Sequence, residues 1–248
     1  MSGHSKWSTI KRKKGAADAK RGKIFTKLIR EIATAARMGG GDPDANPRLR
    51  LAIDRARAAN MPKDNTQRAI QKGIGGGDDA AYEEVLYEGY GPGGTAVLLE
   101  ALTDNRRRTV SEVRHVFSKN GGHLGSTGCV AYLFEKKGII HIELEGTDVD
   151  ALIEAALDAG ALDVVESDDS LEVVTTPSEL ESAKAALAAA SFEVSSAAIR
   201  MEPRTSVTLE SREAESMLRL ADALDDLDDI QAVYANFDIS EQTMANFA

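Results

Sequence analysis

The residues of this chain best suited to chemistry are cations gathered near its start. The first group lies in residues 2–14, a stretch without hydrophobic periodicity, and consists of Lys6, Trp7, Lys11, Arg12, Lys13 and Lys14. Lysine and arginine neutralise phosphates and release their counterions, and an aromatic ring among them can stack on a base. We interpret the stretch as a flexible arm that binds nucleic acid. The alternative is a disordered terminus in which Trp7 packs in a local cluster.

Two further groups of cations extend this nucleic-acid-binding hypothesis. One follows on the first predicted helix and consists of Lys20, Arg21, Lys23 and Lys27. The other is the run Arg106, Arg107 and Arg108, in the first turn of a helix that Asp104-Asn105 would cap. Cations in a first turn oppose the helix dipole, so their clustering indicates an anionic partner. A solvated arginine run is the alternative.

The sequence lacks the residue patterns of metal, nucleotide-binding and catalytic sites. The four histidines, His4, His115, His123 and His141, show no metal-ligand spacing, and Cys129 in an apolar stretch is typical of a small buried hydrophobe. Gly89, Gly91 and Gly94 fit G-x-G-x-x-G, but a strand rather than a helix follows, which favours a hairpin turn. The loop from Gly121 to Gly128 is interpreted as a connector. We predict no catalytic residue, no cofactor and no metal, and hence no enzyme.

An acidic cluster closes the last predicted helix. Asp225, Asp226, Asp228 and Asp229 lack the alternating ligands of a calcium loop, so we interpret them as a solvated helix end. The acidic domain predicted at residues 137–203 could engage a basic protein partner or repel nucleic acid from the wrong face.

Charge is distributed very unevenly along the 248 residues. The formal net charge is −10, yet residues 1–72 hold 18 basic and 6 acidic side chains, a net of +12. Residues 135–248 hold 7 basic and 26 acidic side chains, a net of −19. Such asymmetry indicates a nucleic-acid-facing part joined to an acidic body.

The basic part has the periodicity of three short helices. Apolar residues recur at helical spacing from about Ala16 to Met38, after Asn46-Pro47 and after Met61-Pro62. Three short helices must bury their apolar faces together, so we predict a basic three-helix bundle. The connection between the first two helices is long, which gives no helix-turn-helix, and phosphate contact is the safer prediction.

The remainder predicts an α+β multidomain chain. From Gly138 to Arg200 the elements follow the β-α-β-β-α-β order of a ferredoxin-like unit. Strands are expected before it at Tyr82–Tyr90, Thr95–Thr103 and Cys129–Phe134, with an apolar-striped helix from about Arg106 to Lys119. After it we expect a strand at Ser206–Leu209, a helix at Ser211–Leu224 and a strand at Val233–Asp238. The predicted domains are therefore residues 1–79, residues 80–136 plus 204–248, and an inserted acidic ferredoxin-like domain at 137–203.

Composition bounds the location. One cysteine excludes a disulfide framework, and no apolar run approaches the roughly 20 residues of a spanning helix. The basic N-terminus has no apolar segment behind it, so it is not a secretory signal. We expect a cytoplasmic chain without membrane contact, and the sequence leaves the oligomeric state open.

Several runs of this sequence resemble the YebC/PmpR family. They include GHSKWSTIKRKK, DAKRGKIFTKLIREIATAAR, ANMPKDNTQRAIQKG, YEGYGPGGTAVLLEALTDN and VRHVFSKNGGHLGSTG. The similarity is dense from Gly3 to about Phe134, and beyond that it follows element order more than wording. Arg107 and Cys129 depart from the polar residue and the serine expected there.

The resemblance implies three domains, the third inserted in the second, and no catalytic residues. It implies a DNA-binding transcriptional regulator, the family's usual description. The alternative is a ribosome-associated translation factor that binds ribosomal RNA, since mitochondrial relatives resemble translational activators. A third hypothesis is a protein-interaction adaptor whose acidic domain carries the function. Charge alone does not separate DNA from RNA, because both are polyphosphates.

Overall fold

The structure is a computed structural model that describes residues 18–75, 82–166 and 170–239. In chain order the helices and strands are α1 (Asp18–Gly39), α2 (Pro47–Ala58), α3 (Lys63–Ile74), β1 (Glu83–Tyr90), β2 (Ala96–Thr103), α4 (Arg106–Lys119), β3 (His123–Leu124), β4 (Phe134–Glu143), α5 (Val149–Asp158), β5 (Asp163–Glu166), β6 (Ser170–Thr175), α6 (Leu180–Ala189), β7 (Val194–Pro203), β8 (Val207–Leu209), α7 (Ser211–Asp225), β9 (Ile230–Ala235) and β10 (Phe237–Ile239). The α+β class predicted from the sequence is confirmed.

The three N-terminal helices are fixed by a capping residue and a shared core. The side-chain oxygen of Asn46 accepts a hydrogen bond from the backbone N–H of Leu49 at 3.1 Å, and Pro47 occupies the first turn of α2. The Asn46 side-chain nitrogen also donates to the carbonyl of Ala35 at 2.8 Å, which ties the start of α2 to α1. The helices pack around a common set of buried side chains: Leu28, Ile32, Leu49, Ala52, Ile53 and Ala69.

The first sheet has the strand order β3-β1-β2-β9, with antiparallel neighbours throughout. Helices α4 and α7 cover one face, and their apolar side chains pack with those of β2 and β9 in one core: Val113, Phe117, Met217, Leu220, Leu99 and Val233. The fourth strand comes from near the end of the described chain, so β9 completes a sheet that β1 and β2 begin. Strands β8 and β10 form a separate parallel pair.

The turn between β1 and β2 explains the glycine pattern there. A 3₁₀ turn at Pro92–Gly94 joins the two strands, so the hairpin interpretation is confirmed. A Cβ on Gly89 would lie 2.7 Å from the carbonyl oxygen of His123, and one on Gly91 would lie 2.6 Å from Sδ of Met217. Close packing, rather than a nucleotide, accounts for these glycines.

The second sheet has the order β5-β6-β4-β7, and its neighbours are again antiparallel. Its elements follow one another as β4-α5-β5-β6-α6-β7. Helices α5 and α6 pack over the apolar face through a shared core: Ile140, Ile142, Leu152, Leu171, Leu180 and Leu187. Helix α2 also contacts this unit, since Lys184 Nζ lies 2.7 Å from Asp54 Oδ2 and Arg50 Nη1 lies 3.3 Å from Glu181 Oε2.

Two strand predictions were wrong. The segment Cys129–Phe134 is not a strand: Ala131–Leu133 forms a 3₁₀ turn and β4 begins only at Phe134. The backbone N–H groups of Val130 and Ala131 donate to the carboxylate of Glu88, so they cannot join a strand ladder. The predicted last strand is two strands, which break at Asn236, where the side-chain oxygen accepts from the Ala96 N–H at 2.7 Å. Among the described helices, none has the length and apolar content needed to cross a membrane.

Candidate nucleic-acid interface

One buried carboxylate joins the N-terminal helices to the first sheet. Asp229 follows α7 and is only 3% exposed. Arg30 of α1 donates from Nη1 to its Oδ1 at 2.5 Å, and Arg108 of α4 donates from Nη2 to its Oδ2 at 2.8 Å. The Thr109 hydroxyl adds a bond to Oδ2 at 2.6 Å. We call this meeting point of α1, α4 and the end of α7 the Asp229 junction.

Electrostatics at the Asp229 junction favour the charged carboxylate. Burial alone would raise the pKa of Asp229, but hydrogen bonds from Thr109, Arg108 and Arg30 outweigh it and hold that pKa below its ordinary value. Hydrogen bonds to Asp229 and Asp104 in turn raise the pKa of Arg108. Both partners therefore stay ionised over the physiological range.

The predicted lysines of α1 lie beside this junction and have acidic partners. Lys27 Nζ donates to the carbonyl of Asp225 at 2.6 Å and lies 3.3 Å from its Oδ1. Lys23 Nζ donates to the carbonyl of Asp226 at 3.2 Å and lies 3.2 Å from its Oδ1. The last carbonyls of a helix lack intrahelical partners and carry the negative end of its dipole, so cations there are favourable.

The acidic cluster is therefore not a solvated helix end, and that interpretation was wrong. Two of its aspartates pair with lysines of α1, and Asp229 is buried, because α1 docks on this end of α7. Only Asp226 and Asp228 remain exposed. The sequence carried a signal, the opposite charges of the two segments, but not their proximity.

The arginine run of α4 reaches the same junction. The Asn105 side chain accepts from the Arg108 N–H at 3.1 Å and caps α4. Arg106 Nε lies 2.6 Å from Glu83 Oε2, and Arg108 Nη2 lies 2.7 Å from Asp104 Oδ1. Arg107 is exposed, and within residues 18–75, 82–166 and 170–239 it has no hydrogen bond or ion pair. The structure thus brings together the two predicted patches, each partly neutralised by carboxylates.

Other predicted residues lie where less is described. Lys20 and Arg21 belong to the first turn of α1. The arm residues fall outside the described ranges: Lys6, Trp7, Lys11, Arg12, Lys13 and Lys14. The described chain begins at Asp18, five residues before Lys23 in the same helix.

A further set of exposed cations was not singled out from the sequence. It lies on the last turn of α1, the last turn of α2 and along α3, and consists of Arg37, Arg57, Lys63, Arg68 and Lys72. Arg57 is 77% exposed and its one recorded acidic contact within the described chain is Asp54, at 3.5 Å. These residues contribute to the charge of +12. The spacing of four between Arg68 and Lys72 could have indicated from the sequence that they share one face of a helix.

The glycine-rich loop after α4 is held by a second buried carboxylate, Glu88, which is 4% exposed. It accepts backbone N–H bonds from Gly128, Val130 and Ala131 at 2.6–2.7 Å. Burial would raise the pKa of Glu88, but these three bonds hold it below its ordinary value. Because its N–H groups already have an acceptor, this part of the loop is not a phosphate cradle. No sequence pattern indicated the role of Glu88.

The described residues give little for catalysis to use. No group of three or more histidine, cysteine, aspartate or glutamate side chains within them could hold a metal ion. Burial raises the pKa of the Cys129 thiol, which favours the unreactive protonated form. The chemistry that this surface supports best is the binding of anions.

Comparisons with known proteins agree across the whole chain. Residues 5–76 match the model of the TACO1/YebC protein N-terminal domain, and residues 82–237 match that of the TACO1/YebC second and third domain. A "Probable transcriptional regulatory protein" of Trichlorobacter lovleyi is 62% identical over 98% of both chains. One of the same name from Citrifermentans bemidjiense is 59% identical, also over 98% of both chains.

A solved structure is also similar over most of its length. The crystal structure of a conserved hypothetical protein from Aquifex aeolicus is 48% identical, with a TM-score of 0.84, and the match covers 90% of this chain and 93% of that one. The family is described by regulatory names rather than by a reaction. Given two family models along its length and relatives at about 60% identity over nearly all of it, the chain belongs to the TACO1/YebC family, the YebC/PmpR family that its sequence resembles.

Proposed function

We propose that this chain is a non-enzymatic nucleic-acid-binding regulator of gene expression and that DNA is its partner. The observation that carries the proposal is the concentration of 18 basic and 6 acidic residues in positions 1–72 of a chain whose net charge is −10. A surface so rich in lysine and arginine neutralises phosphates and gains from counterion release. The names of the relatives, which call them transcriptional regulators, support a regulatory role.

The contacts are proposed in three places. The arm supplies Lys6, Trp7, Lys11, Arg12, Lys13 and Lys14, and Lys20 and Arg21 continue it. Helix α3 adds exposed Gln67, Arg68 and Gln71, side chains that can reach base edges in a groove. Arg107 extends the surface to α4, flanked by Arg106 and Arg108. Lys23 and Lys27 stay predictions, because a phosphate would first have to displace Asp226 and Asp225.

We propose the domain division of the sequence analysis as the frame for this function. Residues 1–79 form a basic three-helix bundle, residues 80–136 with 204–248 an α+β domain, and residues 137–203 an inserted ferredoxin-like domain. Separate cores support it, since one cluster of buried side chains draws on α1–α3, one on the first sheet and one chiefly on the second. The acidic domain would face a basic protein partner, and the whole would act in the cytoplasm.

A ribosome-associated translation factor is the second candidate. The observation that favours it is the spread of exposed cations over α1, α2, α3 and α4 rather than along one helix. Double-stranded segments of RNA are recognised mostly by their shape and by contacts to 2′-hydroxyls and phosphates, which suits a dispersed basic surface.

Crosslinking of the full chain to nucleic acid in cells, followed by sequencing of what is bound, tests the proposal. Enrichment of defined DNA regions supports transcriptional regulation, and enrichment of ribosomal RNA supports the second candidate. The control is the same chain with Lys11, Arg12, Lys13 and Lys14 replaced by Ala, which should lose most of the signal. Recovery of no nucleic acid above background would exclude both candidates and favour the protein adaptor.

A further inference from the structure

A cleft of about 400 Å³ lies at the end of the first sheet opposite the Asp229 junction. Its walls are the C-terminal end of α4 and the N-terminal half of α7, and Pro92 of the β1–β2 turn also lines it. Lys119 comes from α4, and Arg212, Ser216 and Arg219 come from α7. We call this the α4–α7 cleft.

The cations of the α4–α7 cleft stand out against an acidic background. Residues 135–248 contain 7 basic and 26 acidic side chains, and two of those seven, Arg212 and Arg219, line this one cleft. Residues at spacings of four and three share a helix face, so Arg212, Ser216 and Arg219 form one stripe on α7. Among the described residues that line the cleft, Glu213 alone is acidic, which leaves a formal excess of two positive charges.

Local interactions account for only part of this arrangement. Lys119 in the last turn of α4 favours that helix's dipole, and Arg219 pairs with Glu215 one turn away. Arg212 is exposed and has no ion pair within the described part of the chain. The Arg219 guanidinium donates to the Ser216 oxygen at 3.1 Å, so the Ser216 hydroxyl hydrogen is left to donate elsewhere. Guanidinium, ammonium and hydroxyl donors together match the oxygens of a phosphate.

Helix α4 connects the cleft to the Asp229 junction. All five basic residues of positions 73–134 lie on this helix: Arg106, Arg107, Arg108, Arg114 and Lys119. Its exposed side chains Arg107, Ser111, Arg114 and Ser118 follow one another at spacings of four, three and four, which is a single solvent-facing stripe. From Arg107 to Lys119 the helix rises about 18 Å, roughly five base steps of a nucleic-acid strand.

We propose that the α4–α7 cleft binds a phosphate group, and that a nucleic-acid backbone lying along the exposed stripe of α4 supplies it. The inference rests on the proposed function for its ligand, but not for its site. Arg212, which has no ion pair among the described residues, binds the phosphate oxygens first, and Arg219 joins it by exchanging its ion pair with Glu215 for the phosphate. Ser216 and Lys119 complete the set of donors, and Arg107 and Arg114 contact the nucleic-acid backbone along α4. The chain thus binds nucleic acid at two separate places, the basic N-terminal segment and the α4–α7 cleft.

The test compares the full chain with Arg212→Gln/Arg219→Gln and with Lys136→Gln/Arg204→Gln. Both double variants remove two exposed positive charges from the acidic region, but only the first removes them from the cleft. Affinity for a single-stranded oligonucleotide and for a duplex is measured between 50 and 300 mM salt. Each lost phosphate contact lowers the slope of log affinity against log salt by about 0.7 on a single strand and 0.9 on a duplex. The cleft variant should lose about 1.4 or 1.8 from the slope, and the control variant should keep the wild-type slope.

A second measurement needs no nucleic-acid binding. Inorganic pyrophosphate is titrated into the full chain while backbone amide NMR shifts are followed, with saturable shifts expected at Asn120, Gly121 and Ser216 and none in the cleft variant. Should the wild-type chain fail to bind any oligonucleotide while these shifts saturate, the proposed function falls and the cleft stands as a site for a free phosphate compound. Oligonucleotide binding with equal slopes for both double variants, or pyrophosphate shifts that survive in the cleft variant, would overturn the cleft proposal while leaving the proposed function in place.

Discussion

Arg30 and Asp229 lie 199 positions apart in the chain, yet Arg30 Nη1 donates to Asp229 Oδ1 at 2.5 Å. The same Nη1 lies 2.6 Å from the carbonyl oxygen of Asp228, so one guanidinium holds both the side chain and the backbone that follow α7. This pair makes the position of the basic helices depend on an acidic residue near the other end of the chain.

The Asp229→Asn variant should be strongly destabilised. Breaking a buried ion pair by removing one charge typically costs 3–5 kcal/mol, because the partner's charge is left uncompensated. Arg108 is more exposed than Arg30, so water compensates more of its charge when the carboxylate is lost. We therefore expect the free energy of unfolding to fall by about 3 kcal/mol, the lower end of that range. Urea unfolding followed by circular dichroism measures this, with Asp228→Asn as the matched control. The exposed Asp228 side chain should change stability by less than about 0.5 kcal/mol. Equal losses in the two variants would contradict the role of the pair.

A second prediction concerns acid stability and Glu88. Its pKa lies below the unfolded-state value of about 4.3, so in acid the unfolded chain binds more protons than the folded one. Its stabilisation is therefore complete above that pH and is lost as pH falls through the folded-state pKa. Glu88→Gln should be less stable than the wild type at pH 7, and the difference should shrink steadily below about pH 4.

The measurement for Glu88 is urea unfolding from pH 7 down to pH 3. The control is Glu83→Gln, an exposed carboxylate on the same strand, for which the effect of an exposed ion pair is at most about 1 kcal/mol. A difference between wild type and Glu88→Gln that stays constant down to pH 3 would mean that Glu88 does not titrate as this site requires.

What the sequence predicted well was local. The bounds of α4 agree with the prediction, about Arg106 to Lys119, because an Asn cap and an apolar stripe act within the helix itself. The wrong strand at Cys129–Phe134 failed for the opposite reason. Glu88, some 40 residues earlier, accepts hydrogen bonds from the N–H groups of Val130 and Ala131. No pattern within the segment itself predicts a partner so far away in the chain.

The candidate site divides in the same way. Residue type and spacing identified Arg106–Arg108 and the lysines of α1 as cations, which is a property of single residues. Their carboxylate partners at 225–229 lie about 120 to 200 positions away, so only the folded chain reveals that Lys27 and Arg108 meet acids at one junction. Sequence identified the charges, and packing decides which of them stay exposed.

Replacing glycine by alanine should lower stability at Gly89 and raise it at Gly22. A Cβ on Gly89 would lie 2.7 Å from a backbone oxygen and 2.8 Å from Cζ of Phe117, so Gly89→Ala should cost about 2 kcal/mol of stability. Gly22, within α1, has nothing within 4 Å of an added Cβ, and Gly22→Ala should stabilise by about 0.5–1 kcal/mol. Thermal and urea unfolding measure both. If Gly89→Ala left the free energy of unfolding unchanged, close packing would not explain the glycine at this position.

The arm should dominate the salt dependence of nucleic-acid binding. Replacing Lys11, Arg12, Lys13 and Lys14 with Ala removes four potential phosphate contacts, so the slope on duplex DNA should fall by about 3 to 4. Fluorescence anisotropy over a range of salt concentrations gives the slope. Replacing Lys63 alone should lower it by no more than about 1. An unchanged slope in the four-residue variant would exclude the arm from the interface.

Removing the acids that hold the lysines of α1 should strengthen nucleic-acid binding. In the Asp225→Asn/Asp226→Asn variant, Lys23 and Lys27 lose their carboxylate competitors but keep the backbone carbonyls of α7, so the helices stay docked. The Lys23–Asp226 pair is exposed, whereas the side chains of the Lys27–Asp225 pair are mostly covered. An exposed ion pair is worth up to about 1 kcal/mol, so we expect most of the gain from Lys23 and a rise in affinity for duplex DNA of about threefold to tenfold. Asp222→Asn/Asp228→Asn makes the same change of net charge at neighbouring exposed positions without touching either lysine. If both double variants gain equally, the effect is general repulsion; a gain confined to the first places Lys23 and Lys27 in the nucleic-acid interface, with Asp225 and Asp226 as the groups a phosphate must displace.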